Sequence, residues 1–202
     1  MKITQLTSRL EEPTKALVEK CVTEYKNDSH YSHADELQRK LATQFAGDYE
    51  SILSAAIFLN QIYSTNIYNV YGIVDHIHSK KDELIPAIEV GKTDVVAMIA
   101  QGHGIAREGK EKEIVFYSFA TKFCNYLNPT AYSIFDSHVE TMLKAYNRKF
   151  GFYTGQQKNL RDYATFKEWI QAFLKHFDLH CTLWELDKFL WTYYRSLSKK
   201  NK

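Results

Sequence analysis

The sequence predicts an all-α protein, and three observations carry that prediction. Glycine (8) and proline (3) are scarce in 202 residues, so there are few places to break a helix. Apolar residues recur at three- and four-residue intervals, without the sustained alternation that a half-buried strand needs. Aromatic side chains are frequent, with 14 Tyr, 12 Phe and 3 Trp, and a chain of this length can bury them in a real core. The expected organisation is one compact unit, 1–202, with no internal repeat and no low-complexity segment.

Residues 12–26 place Ala16, Leu17, Val18, Cys21, Val22 and Tyr25 at helical spacing, with Pro13 suited to an early helical position. The polar run NDSHYSH (27–33) is expected to break the chain before a second amphipathic helix, ADELQRKLATQF. Gly47-Asp48 closes that helix and caps the next. The helix over 48–63 is apolar around much of its circumference, which implies burial on more than one side. A helix over 67–78 and short ones over 82–90 and 93–101 follow, the last two separated by Gly91. Residues 102–113, GHGIAREGKEKE, hold three glycines and many charges and read as a mobile surface loop. The helix over 114–127 ends at Asn128-Pro129, because proline disfavours a helical predecessor. Asp136-Ser137 opens the next helix, through Tyr146, and a basic connection spans 147–162. Amphipathic helices over 163–177 and 183–197 and a frayed SKKNK tail complete the chain.

Bulk charge decides little: a net +2 with pI about 8.3 is not the footprint of a nucleic-acid binder by itself. Cys21, Cys124 and Cys181 are odd in number and far apart, which fits a reducing, cytoplasmic setting. The opening MKITQLTSRLEE carries charge where a signal peptide needs an apolar run, and no stretch has the length of a membrane span. No cofactor is expected. His176 and His180 have i,i+4 spacing beside Cys181, but no third ligand falls at a convincing distance, so no metal and no metal cluster are expected.

Candidate chemistry concentrates between Val115 and Tyr146. Asp136 precedes Ser137, His138 and an apolar helix, the pattern of an N-cap, and a carboxylate fixed there can also orient water or stabilise a cation. Lys122 stands among Phe119, Ala120, Phe123, Cys124 and Tyr126; a lysine emerging from such surroundings has its pKa lowered and its amine made more nucleophilic. The ordinary reading of Lys122 is a solvated helical lysine. Asn60 and Gln61, at the end of a buried helix, read either as helix termination or as a polar wedge against a base edge. Lys144, Arg148 and Lys149, with Lys158 and Arg161 beyond, suit either a helix C-terminus or phosphate. Trp169, Trp184 and Trp191 fall at core spacing rather than as stacking platforms for bases.

The run S-F-A-T-K (118–122), N-P (128–129) and Y-S-I-F-D-S-H-V (132–139), with L-D-K-F-L-W at 186–191, resembles an uncharacterised group of bacterial helical proteins. More distantly, it resembles the helix-hairpin-helix (HhH-GPD) DNA glycosylases. That resemblance implies two helical lobes with a cleft between them, 48–120 forming the central lobe and 1–47 plus 121–202 the other. It implies duplex DNA as partner, Asp136 as the catalytic acid and Lys122 as an amine able to attack the sugar of a flipped nucleotide. Gln61 would enter the base stack beside Asn60, while Ser118, Ser137, His138, Lys144 and Arg148 would lie along the DNA. The chain departs from that pattern where Ser118 and Ala120 replace the hairpin glycines, in a short Lys122–Asp136 link, and in lacking four clustered cysteines. The alternative is a catalytically inactive module of the same fold that binds nucleic acid or protein. A helical protein unrelated to DNA, with Asp136 as a simple cap, is a third reading.

Overall fold

The computed structural model describes residues 3–155 and 159–199, and among them the chain forms eleven helices and no strand. The all-α expectation therefore holds. The described residues form two compact units, one contiguous (His33–Ile134) and one built from the chain up to Ser32 together with the chain from Phe135 onward.

In the discontinuous unit, α1 (Ile3–Arg9) and α2 (Lys15–Asn27) come from the beginning of the chain, and α9 (Ser137–Phe150), α10 (Tyr163–His176) and α11 (Leu183–Lys199) from its end. Helix α11 packs on α2 and α9, and α1 packs on α9. Leu186, Phe189, Leu190, Tyr193 and Leu197 are the buried apolar residues of α11, at the spacing that makes one continuous helical face. Aromatic rings fill much of this core: Phe173 lies edge-on to Tyr146 at 5.2 Å and to Phe152 at 5.3 Å. Tyr146 and Trp169 are thus core residues, as the spacing suggests for the tryptophan.

Helix α3 (Ser29–Thr43) begins in this unit and continues into the contiguous one. The polar break expected at 27–33 is instead one residue, Asp28, which caps α2 by donating its backbone N–H to Tyr25 O. Asp28 Oδ1 then accepts from His30 N–H, so the same residue also opens α3. Helix α3 has no buried residue, which is why its first turn reads as loop.

The contiguous unit contains α4 (Tyr49–Tyr63), α5 (Val70–Ser79), α6 (Lys81–Glu89), α7 (Val95–Ala100) and α8 (Tyr117–Leu127). Gly47, at φ +74, and the Asp48 cap start α4 as expected, with Asp48 Oδ1 accepting from Ser51 N–H at 2.9 Å. Helix α8 packs on α4, α6 and α7, and nine of its eleven residues are buried. It starts three residues later than expected, because the Ile114 N–H is committed to Ile105 O at 2.8 Å.

Candidate functional site

Asp136 is the residue before α9, in extended backbone at φ −144° and ψ 176°. Its Oδ1 accepts from the amides of His138 and Val139, both at 2.8 Å, which fixes the carboxylate at the mouth of the helix. Neither bond uses Oδ2, and the residue is half-buried. Val139, Met142, Leu143 and Tyr146 turn the opposite side of α9 into the core. That registry leaves Ser137, Lys144 and Arg148 exposed at helical spacing, with half-buried Thr141 between them. Lys144 is paired with Glu140 at 2.5 Å, one turn back. Lys149 is exposed too, with its amine donating to Leu10 O. Lys158 lies outside the described residues.

His138 is stacked on Tyr194 of α11, ring centroids 4.3 Å apart and planes 24° from parallel. Sequence reasoning missed Tyr194. It lies far along the chain among other tyrosines, and only the packing of α9 on α11 reveals its part.

Lys122 is 2 % exposed, so the expectation of apolar surroundings is met and the ordinary solvated reading does not describe it. Its ammonium donates to Ser118 Oγ at 2.5 Å, one helical turn back, and lies 5.4 Å from the centroid of the Tyr63 ring. Tyr63, also missed, donates to Gln38 Oε1 at 2.9 Å, so the ring over Lys122 is tethered at its far end. Ser118 and Ala120 lie within helix α8, so this segment forms a helical turn and not a hairpin. Lys122 belongs to the contiguous unit and Asp136 to the discontinuous one.

Asn60 is committed to its own chain. Its Nδ2 donates to Ile67 O at 3.0 Å, and its Oδ1 accepts from Ile67 N–H at 3.0 Å and from Thr65 Oγ1 at 2.8 Å. This brace holds the turn after α4, in which Ser64 (φ 49°) and Asn66 (φ 58°) are left-handed. Gln61 is exposed beside it.

The thiols are poor nucleophile candidates. Burial, aided by Glu24, pushes Cys21 up to about 11, and burial with Glu185 does the same for Cys181. Burial alone raises Cys124 further. Among the described residues no group of three or more His, Cys, Asp and Glu side chains is arranged to hold a metal ion. No described helix is long and apolar enough to cross a membrane. Charge is divided unevenly in the sequence: residues 1–32 and 135–202 carry 17 Lys and Arg against 12 Asp and Glu, and residues 33–134 carry 9 against 12.

Comparison with known proteins adds kinship without an activity. The profile of the HI_0787_N family, described as an N-terminal domain, matches residues 17–131. An uncharacterised protein of Haemophilus influenzae is 35% identical over 153 residues, covering 76% of this chain and 71% of that protein. No solved structure matches the chain.

Proposed function

The chain belongs to the HI_0787_N family, and from that starting point we propose that it binds duplex DNA and that Asp136 assists release of a damaged or modified base. One observation carries the reading: a carboxylate pinned by two amides heads α9, whose exposed side bears Ser137, Lys144 and Arg148. A side chain locked in this way spends no further entropy on positioning, and Oδ2 remains available to a reacting group. In base release the C1′–N bond breaks with its electron pair leaving on the base. The carboxylate then stabilises the cationic sugar while water adds to C1′, and the proton that water loses is balanced by the one the departing base takes up. The distant likeness of I-F-D-S-H-V (134–139) to the HhH-GPD pattern and the basic balance of residues 1–32 and 135–202 point the same way.

The proposal assigns base loss to Asp136 without a covalent lysine step, because the Lys122 amine is buried and held by Ser118. Borohydride treatment with abasic-site DNA is therefore expected to give no cross-link that depends on Lys122. Two measurements test the main reading. Affinity for duplex DNA falls steeply with salt, and Arg148→Ala or Lys144→Ala weakens it across all sequences while flattening the salt slope by about one each. Asp136→Asn abolishes base release and leaves affinity intact. Salt-independent affinity, or base release surviving in Asp136→Asn, overturns it.

A second reading, a catalytically idle binding module, is favoured by one feature. Residues 117–122 are helical where a glycosylase hairpin would offer glycine amides to a phosphate. Duplex binding without base release from any damaged substrate would select it.

A further inference from the structure

The stretch after α7 that reads as a mobile loop is pinned at its base. Three successive amides converge on one carboxylate: Gly102 N–H donates to Glu113 Oε2 at 3.0 Å, and those of His103 and Gly104 donate to Oε1 at 2.7 and 2.8 Å. Convergence of this kind needs the chain to turn in a way side chains resist, and Gly102 (φ +82) and Gly104 (φ +72) provide it on either side of His103. Such a concave run of amides is an anion nest. A cationic group stands beside it: Lys80 Nζ is 4.0 Å from where a Cβ on Gly102 would sit. The fully buried His103 ring is there too, its Nδ1 accepting from Ile105 N–H at 3.1 Å and lying 3.0 Å from Glu113 Oε1.

Glu113 reaches the nest by way of an excursion with little else to hold it. Residues 106–112 are all exposed, and the excursion is closed by the Ala106–Glu113 bridge, the Ile114 N–H bond to Ile105 O and a turn in which Lys110 N–H donates to Arg107 O. The Glu113 side chain is 30 % exposed. A tetrahedral oxyanion offers a third oxygen and more charge than this carboxylate; the excursion itself carries Arg107, Lys110 and Lys112 against Glu108 and Glu111.

We propose that the Gly102–Gly104 nest is a binding site for a phosphate-class oxyanion and that Glu113 occupies it as an internal surrogate, so that ligand entry and release of residues 105–113 are one event. The assignment involves neither Asp136 nor base release, and it stands or falls separately from the function proposed above.

The test is a titration of the isotopically labelled full chain with inorganic phosphate and, separately, with a short duplex DNA. The amide resonances of Gly102, His103 and Gly104 are followed in the wild type, Glu113→Ala and Glu113→Gln. Emptying the nest removes the internal competitor, so inorganic phosphate is expected to shift these three amides saturably in Glu113→Ala at a concentration roughly tenfold or more below that needed in the wild type. Glu113→Gln, which keeps an acceptor for the amides and hence the loop, falls between the two. Shifts with duplex DNA but not with inorganic phosphate support the site and identify a phosphodiester as its ligand. No saturable shift with either probe in both variants overturns the site. Equal affinity in all three proteins overturns the surrogate role of Glu113.

Discussion

The carboxylate of Asp136 holds the first turn of α9 through two bonds that lie within four residues of the chain, to the amides of His138 and Val139. Replacing Asp136 with Ala removes both bonds and is expected to cost about 1 kcal/mol in urea unfolding, whereas Asn, a comparable cap, leaves stability nearly unchanged. The contrast separates the stability role from any catalytic one. At Lys122 the apolar flanks were legible, but the ordinary expectation for a helical lysine is solvation, and its burial is a finding of the structure. Its partners were legible only in part: Ser118 is one turn away, but Tyr63 comes from α4, and no local spacing announces a contact between helices.

At the scale of elements, the turn between α4 and α5 shows a designed end with one costly residue in it. Ser64 sits in the left-handed region at the C-cap of α4, a position that glycine occupies without a Cβ penalty. Ser64→Gly is expected to raise the urea midpoint by the equivalent of about 1 kcal/mol, since the Asn60 brace already holds the turn. Most helices were legible from apolar spacing and from Gly47, Asp48, Asn128 and Asp136 at their ends. Helix α1 was not: it buries one residue, Leu6, too little to print a period. Helix α3 was legible from Ala34 on, but it buries no residue, so its polar first turn looks like loop. The excursion at 105–113 was legible as surface but not as anchored, because the anchor is a contact between a glycine-flanked turn and a glutamate at the far side of the excursion.

Across the whole molecule, two carboxylates tied to amides, Asp48 and Glu113, are held below the ordinary carboxylate range. Partial burial pushes Glu113 up, but the Gly102 and Gly104 amides and His103 outweigh it, and the result is a lowered pKa. Asp48 is lowered chiefly by its bonds to Ser51. A folded pKa below the unfolded one means that the unfolded chain binds protons first. The stability these groups contribute is therefore complete above the ordinary carboxylate range and is lost as pH falls through their lowered values. Amide exchange at Gly102 to Gly104 is expected to stay slow through the ordinary carboxylate range and to accelerate only below it, and Glu113→Gln is expected to remove that transition.

The division of the chain has a consequence for its synthesis. The packed helix pairs among α4 to α8 can form once residues 33–134 have left the ribosome, whereas α2 must wait for α11 and α1 for α9. Until then Val18, Val22 and Tyr25 have no lining from α11, and a nascent chain must be sheltered or kept from self-association over that interval. Helices α1 and α2, made before α3 to α8, are thus among the last of the described helices to find their place.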